Sequence, residues 1–133
     1  MTDALDPVAW SSFLLGLYLL FAGIGALRQP GLWKTAVDEI TRSPALQIVC
    51  GLLELIVGAV VYLSSPWVPE DLHSCIMKAM GGIMMAEALM VVGFCDIYSQ
   101  FWLRNLAHLQ RGWAMFSILF GIALTLAGAV RFP

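Results

Sequence analysis

The sequence predicts an all-α integral membrane protein with four transmembrane helices. Of its 133 residues, 60% are hydrophobic and 12% are charged, and the mean hydropathy is +0.84. A soluble domain of this size exposes too much surface for so few charges, since about 25% of the residues in an average one are charged. The net charge of −2 also argues against nucleic acid as a partner, because nucleic-acid-binding domains carry a basic face. The partner that the composition predicts is the lipid bilayer.

Four apolar runs are long enough to cross about 30 Å of hydrocarbon at about 20 residues each. Two of them carry charges: Glu54 lies in the second run, and Lys78 and Glu87 lie in the third. Only helices and closed barrels satisfy the backbone in lipid, and continuous rather than alternating apolar runs indicate helices. We therefore predict one transmembrane domain, residues 1–133, with spans at about 8–27, 45–63, 74–95 and 113–130.

The two longer loops are predicted to form amphipathic helices at the membrane surface, near residues 31–43 and 97–109. In the first, apolar residues around Trp33 share one face and charged residues share the other. In the second, Phe101 and Trp102 face the same way. Helices of this kind lie in the headgroup plane with tryptophan at the interface. Each is either a connector that rests on lipid or a docking site for a partner.

Positive charges predict the orientation of the chain. Segment 28–44 holds three Lys or Arg residues and segment 96–112 holds two, whereas the N-terminal stub and the 64–73 loop hold none. Arg131 is the one exception. The positive-inside rule therefore places both long loops in the cytoplasm and both termini outside.

The second and fourth spans indicate an internal repeat. Gly51 and Gly58 coincide with Gly121 and Gly128 at a constant offset of 70 residues, and an Ala-Val pair follows in both. Each half would then be a span, an amphipathic helix and a second span, which makes a 2+2 parallel repeat. The alternative is a chance match, which is common in apolar sequence. The acidic residues break the symmetry, since Glu54 corresponds to a leucine.

Small residues predict the faces through which the spans pack, because helices in lipid associate by close backbone approach and by interhelical hydrogen bonds. In the second span, Gly51, Glu54 and Gly58 share one face. The corresponding faces hold Gly16 and Gly23 in the first span, Ala79, Gly82, Ala86 and Gly93 in the third, and Ser117, Gly121, Thr125 and Gly128 in the fourth.

Glu54 and Glu87 are the residues that most favour a function inside the membrane, since an ionisable side chain in lipid is costly. Both lie about eight or nine residues from the cytoplasmic ends of neighbouring antiparallel spans, which predicts nearly equal depth. Two carboxylates close together in a low dielectric do not both ionise readily, so the pattern predicts a proton- or cation-binding pocket within reach of Tyr18. The alternative is structural: two glutamic acids hydrogen-bonded across helix interfaces, for example to Tyr18 or Thr125.

Lys78 is the fourth candidate residue of this polar pocket. It either pairs there with an acid or an anionic substrate, or extends its ammonium group to the membrane surface. The three cysteines are too far apart in sequence for a zinc or thiol-redox pair, and no catalytic triad, HExxH or phosphate-binding glycine motif is present. We therefore predict no metal, no cofactor and no catalytic centre.

One part of the sequence resembles a known group of proteins. It comprises the run Leu17-Tyr18-Leu19-Leu20 to Gly25, then Ser43-Pro44-Ala45-Leu46, Gly51, Gly58 and Trp67. This Ser-Pro-Ala-Leu and Gly-x6-Gly pattern is similar to an uncharacterised family of small bacterial four-helix integral membrane proteins. The resemblance covers the first half of the chain and implies a bacterial inner membrane, with no activity to carry over.

Three functions remain open. The first is a polytopic membrane protein that acts by helix packing, as a homo-oligomer or as an accessory subunit of a membrane complex. The second is a small proton- or cation-linked transporter or channel that uses Glu54 and Glu87. The third is a membrane enzyme that acts on a lipid or isoprenoid substrate with a glutamate as acid or base.

Overall fold

The computed structural model describes residues 6–131, without the side chains of residues 106–108, and this part of the chain is α-helical. The last helix breaks at Leu109, whose φ of −127° and ψ of 22° are not helical. We call residues 95–108 the α5 arm and Leu109–Ala129 the α5 span. The helices are α1 (Pro7–Arg28), α2 (Leu32–Arg42), α3 (Pro44–Ser64), α4 (Leu72–Gly93) and α5 (Cys95–Ala129).

The prediction of four spans and two shorter helices is confirmed. Four helices are long and apolar enough to cross a membrane: α1, α3, α4 and the α5 span. The α5 span begins four residues earlier than predicted, because the turn of helix before Trp113 continues the span back to Leu109. The two shorter helices, α2 and the α5 arm, contact each other, and Thr41 donates a hydrogen bond to Ser99 at 2.6 Å between them.

Short polar residues fix where three of the spans begin. The Asp6 carboxylate accepts from the backbone N–H of Val8 at 3.0 Å, and the Asp71 carboxylate accepts from Ser74 at 3.2 Å. The Ser43 hydroxyl accepts from the N–H of Leu46 at 3.2 Å. Each satisfies a backbone donor that the first helical turn leaves without a partner.

The four spans form two tightly packed pairs, α1 with the α5 span and α3 with α4, and the pairs contact each other less extensively. Hydroxyl groups add to the first pair: Ser12 donates to the carbonyl of Leu124, and Ser117 donates to that of Leu19, both at 2.7 Å. Buried hydroxyl–carbonyl bonds of this kind hold helices together where water is excluded.

The same crossing occurs in both pairs. Each residue of α3 corresponds to the α5 residue 70 positions later, and each residue of α1 corresponds to the α4 residue 72 positions later. With this correspondence, the contacts between α3 and α4 become the contacts between the α5 span and α1. This equivalence supports the predicted 2+2 repeat, because each half of the chain then contributes the same pair of surfaces. Gly121 contacts Gly16 and Leu20 as Gly51 contacts Ala88 and Val92. Gly128 contacts Ala9 and Phe13 as Gly58 contacts Gly81 and Met85.

The packing face predicted for the third span was wrong. Gly81 is buried against the backbone of α3, whereas Gly82 only touches the Tyr62 ring and nothing lies near Gly93. Ala79 and Ala86 are exposed, whereas Ala88, like Gly81, is buried. The face that packs is therefore turned by about 100°, the angle between adjacent residues of a helix.

Arg131, the exception to the charge pattern, ties three helix ends together. Its guanidinium lies 3.0 Å from the Asp6 carboxylate and 2.9 Å from the Asp71 carboxylate. Since these two residues cap α1 and α4, the ion pairs place both caps beside the C-terminal end of the α5 span. The positive charge of Arg131 is thus offset locally by two negative ones.

These ion pairs predict a pH dependence of stability. Burial raises the pKa of Asp71, but the hydrogen bonds from the Arg131 guanidinium and the Ser74 N–H outweigh it and hold this pKa below its usual value. A carboxyl whose pKa is depressed in the folded state stabilises the fold above its unfolded pKa of about 4, and this contribution is lost as the pH falls through the folded pKa. We expect Arg131→Gln to lower the free energy of unfolding by about 1–2 kcal/mol at pH 7, and by less at pH 3.

Denaturation in detergent at the two pH values measures this difference. Arg42→Gln is the matched control, because the ion pair between Arg42 and Asp38 is solvent-exposed and lies within one helix. It should change the unfolding free energy by less than about 0.5 kcal/mol. A loss for Arg131→Gln that is equal at both pH values would contradict the assigned role of Asp71.

Candidate functional site

The structure brings Glu54 and Glu87 together where α3 crosses α4. Glu54 lies in the middle of α3, ten residues from Pro44 and ten from Ser64. Glu87 lies six residues before the end of α4. The close contacts of Gly51 with Ala88 and of Gly58 with Met84 place Glu54 and Glu87 at the same level of this crossing. The two carboxyl groups interact there, and both side chains are half-buried. A hydrogen bond between them requires a proton on one carboxyl group, because an ionised carboxylate only accepts.

Tyr98 of the α5 arm is the third member of this cluster. Its hydroxyl group lies close enough to the Glu87 carboxyl group to interact with it. Burial, together with the charges of Glu87 and Glu54, raises the pKa of Tyr98 well above its usual value, so the phenol keeps its proton and remains a donor. Three helices therefore meet at the carboxyl pair.

Sequence analysis missed Tyr98, although the sequence holds a signal for it. Tyr98 precedes Trp102 by four residues, so both lie on one face of the α5 arm. Their ring centroids are 6.2 Å apart. The ring of Trp102 in turn packs against the ring of Trp113 in the α5 span, with a centroid distance of 5.2 Å. The face that carries Tyr98 and Trp102 thus turns toward the bundle, whereas Phe101, which was predicted to face the same way as Trp102, is exposed.

Tyr18 lies on the other side of Glu54, across a groove. The groove runs between α1 and α3, with Met84 of α4 among its lining residues, and has a volume of about 750 Å³. Tyr18 and Glu54 both line it, but the Tyr18 side chain is 71% exposed. The structure therefore brings Tyr18 to the same groove as Glu54, whereas Tyr98 lies beside Glu87 of the pair.

Lys78 lies away from the carboxyl pair. It precedes Glu87 by nine residues, which is about 13 Å along the helix axis. Its ammonium group donates to the carbonyl oxygen of Tyr62 at 3.1 Å and sits 3.7 Å from the centroid of the Tyr62 ring. Lys78 thus binds a carbonyl in the last turn of α3, which also accepts from the backbone N–H of Ser65, and anchors α4 to that end.

The predicted packing residues all lie at the two crossings. Gly51 and Gly58 lie against α4, and Gly121 and Gly128 lie against α1. Thr125 lies against Gly16, and its hydroxyl group donates to the carbonyl of Gly121 in its own helix at 2.7 Å. Thr125 therefore hydrogen-bonds within its own helix and not to Glu54.

A metal centre finds no support in the described part of the chain. No group of three or more His, Cys, Asp or Glu side chains is placed there to hold an ion. His73 instead contacts the hydroxyl group of Ser12 at 2.8 Å, and the thiol of Cys75 donates to the carbonyl of Val68.

The site thus consists of two carboxyl groups and a phenol inside a bundle of apolar helices, beside an apolar groove. Neither a family model, nor a curated protein, nor a solved structure matches the chain, so the family that residues 17–67 resemble is not identified by these comparisons. The fold and the site show a small multi-pass membrane protein with four candidate spans.

Proposed function

We propose that this protein is a small proton- or cation-linked membrane carrier, in which Glu54 and Glu87 form the proton-binding site. The contact between the two carboxyl groups at the crossing of two apolar spans carries this proposal. Ionisable residues at such depth are costly, and they are typical of ion and proton pathways.

The chemistry of the cluster indicates how many protons it holds. Tyr98 keeps its own proton and can donate to Glu87, and a hydrogen bond between the two carboxyl groups requires a proton on one of them. A second ionisation would put two negative charges in contact in a low dielectric, so the pair keeps one proton and one negative charge. Glu54 lines the groove, so the proton of the pair can exchange there.

The cluster also connects the groove with the end of the bundle that carries the basic loops. Tyr98 belongs to the α5 arm, which is held to α2 through Ser99 and Thr41. Glu54, Glu87 and Tyr98 thus form a chain of hydrogen-bonding groups from mid-span to the segment predicted to face the cytoplasm.

Infrared spectroscopy of the protein in nanodiscs tests the shared proton. We expect the carbonyl stretch of a protonated carboxylic acid at neutral pH, which disappears when Glu54→Gln and Glu87→Gln are combined. Either single variant should shift the band, because the surviving acid has a new hydrogen-bond partner. Glu70→Gln, at an exposed position between α3 and α4, should leave it unchanged. Absence of the band from the wild-type protein would refute the proposal.

Orientation is part of the proposal. Both termini lie outside, as the distribution of Lys and Arg predicts, and the membrane is a bacterial inner membrane, as the resemblance of residues 17–67 implies. The pairing of Arg131 with Asp6 and Asp71 supports this assignment, because two acidic side chains balance the positive charge of Arg131 at the outer end. A membrane-impermeant thiol reagent should label Glu70→Cys but not Lys34→Cys in cells producing a chain without its native cysteines. The reverse labelling would contradict the orientation.

Association is a second candidate function, and the low burial of α3 favours it. In the most apolar stretch of α3 17% of the residues are buried, compared with 28% in each of the other spans. A homo-oligomer or an accessory role in a membrane complex would cover this helix. Light scattering of the protein in mild detergent measures its mass, and a monomer that co-purifies with no other chain would refute this candidate.

A further inference from the structure

We propose that the groove between α1 and α3 binds a lipophilic amine, with the apolar chain along the groove and the ammonium group on the Glu54–Glu87 pair. The inference rests on the proposed proton site and names the substrate class of that site. The volume of the groove, about 750 Å³, falls within the roughly 300–1,000 Å³ that is usual for small-molecule sites.

The walls of the groove suit an alkyl chain that arrives from the lipid. Leu14 of α1 and Leu53 and Val57 of α3 line it, and all three side chains are exposed at the surface of the bundle. The groove is therefore open toward the side of the bundle that a bilayer would cover. A ligand dissolved in the membrane can enter laterally without passing through water.

Charge selects the head group. Among the described residues that line the groove, Glu54 alone carries a charged group, and none is a lysine or an arginine. The pair that Glu54 forms with Glu87 keeps one negative charge, and a negative charge away from water requires a cationic partner. A fatty acid would bring a second negative charge to it, and a neutral alcohol or quinone would leave it unpaired. Only a cationic head group complements this site.

Binding and proton exchange are coupled by charge balance. When the ammonium group contacts the pair, both carboxyl groups can ionise, and the proton that the pair holds is released. One bound cation thus replaces one proton, and the return of the proton expels the amine. The exchange needs no other reactant.

Photolabelling in phosphatidylcholine nanodiscs tests the inference. The probes are dodecylamine with a diazirine near the end of its chain and the corresponding alcohol, and labelled residues are mapped by mass spectrometry. We expect the amine to label α1 and α3 residues of the groove, and the alcohol to label them about tenfold less, as expected for the loss of one ionic contact.

Two variants separate the groove from the acids. Val57→Trp fills the groove and leaves both carboxyl groups in place, so it should lower labelling about tenfold while the infrared band persists. Leu52→Trp is the matched control, because Leu52 is exposed on the same helix and does not line the groove. Equal labelling by amine and alcohol, or labelling that survives Val57→Trp, would overturn the inference while leaving the proton site intact. Loss of the infrared band from the wild-type protein would instead refute the proposed function.

Discussion

Replacing Gly81 with leucine is expected to lower the free energy of unfolding by about 3 kcal/mol, the upper end for overpacking a tight interface. A Cβ at this position would lie 2.6 Å from the backbone nitrogen of Tyr62 and 2.8 Å from the carbonyl oxygen of Gly58. Both are backbone atoms, so α3 and α4 would have to move apart. Gly58→Leu should have a similar effect, because its Cβ would lie 3.0 Å from the carbonyl oxygen of Gly81.

The adjacent residue supplies the control. A Cβ at Gly82 would lie 3.7 Å from the nearest ring carbon of Tyr62, which is ordinary contact. We expect Gly82→Leu to change the unfolding free energy by less than about 0.5 kcal/mol, as most surface substitutions do. Unfolding in mixed micelles with increasing denaturing detergent measures both variants. Equal stability of the Gly81 and Gly82 variants would show that the crossing is not as close as described.

Combining Glu54→Gln with Glu87→Gln should abolish proton exchange and leave the fold intact. An amide donates and accepts hydrogen bonds, so two glutamines can keep the link between α3 and α4, but they carry no exchangeable acidic proton. In proteoliposomes with an internal pH-sensitive dye, an outward gradient of an impermeant alkylammonium ion should drive proton uptake by the wild-type protein. With the double variant, uptake should fall to the level of protein-free vesicles.

The control removes the same number of acids elsewhere. Glu39→Gln combined with Glu70→Gln changes two exposed residues and should retain the flux. If the double variant of the carboxyl pair retains both fold and flux, the pair is structural. Unfolding of that variant would show that the charge, not only the hydrogen bond, holds the crossing together, and would contradict the carrier mechanism.

Periodicity and hydropathy predicted the elements of this fold, because lipid requires long apolar helices and the chain offers four such runs. The same reasoning failed for the packing face of α4. The neighbouring glycines Gly81 and Gly82 each fit a stripe of small residues, and only the depth at which α3 crosses decides between them. That depth depends on the tilt of both helices, which no local pattern contains.

The candidate site shows a similar division. Equal depth in antiparallel neighbours was enough to predict that Glu54 and Glu87 could meet. The role of Tyr98 could not be predicted in the same way, because it depends on the break at Leu109. That break sets the direction of the α5 arm relative to the α5 span, and a sequence of good helix formers on both sides does not reveal it.

Because the two crossings are equivalent, the acidic residues of one can be compared with the residues at the same positions of the other. In the α1 and α5 crossing, the position equivalent to Glu54 is Leu124, which is 4% exposed and belongs to the hydrophobic core. The contacts make Leu15 the position equivalent to Glu87, whereas the sequence offset of 70 gives Leu17, two residues later. A duplicated bundle can keep one interface apolar for cohesion, so that the other is free to acquire ionisable groups without placing the whole architecture at risk.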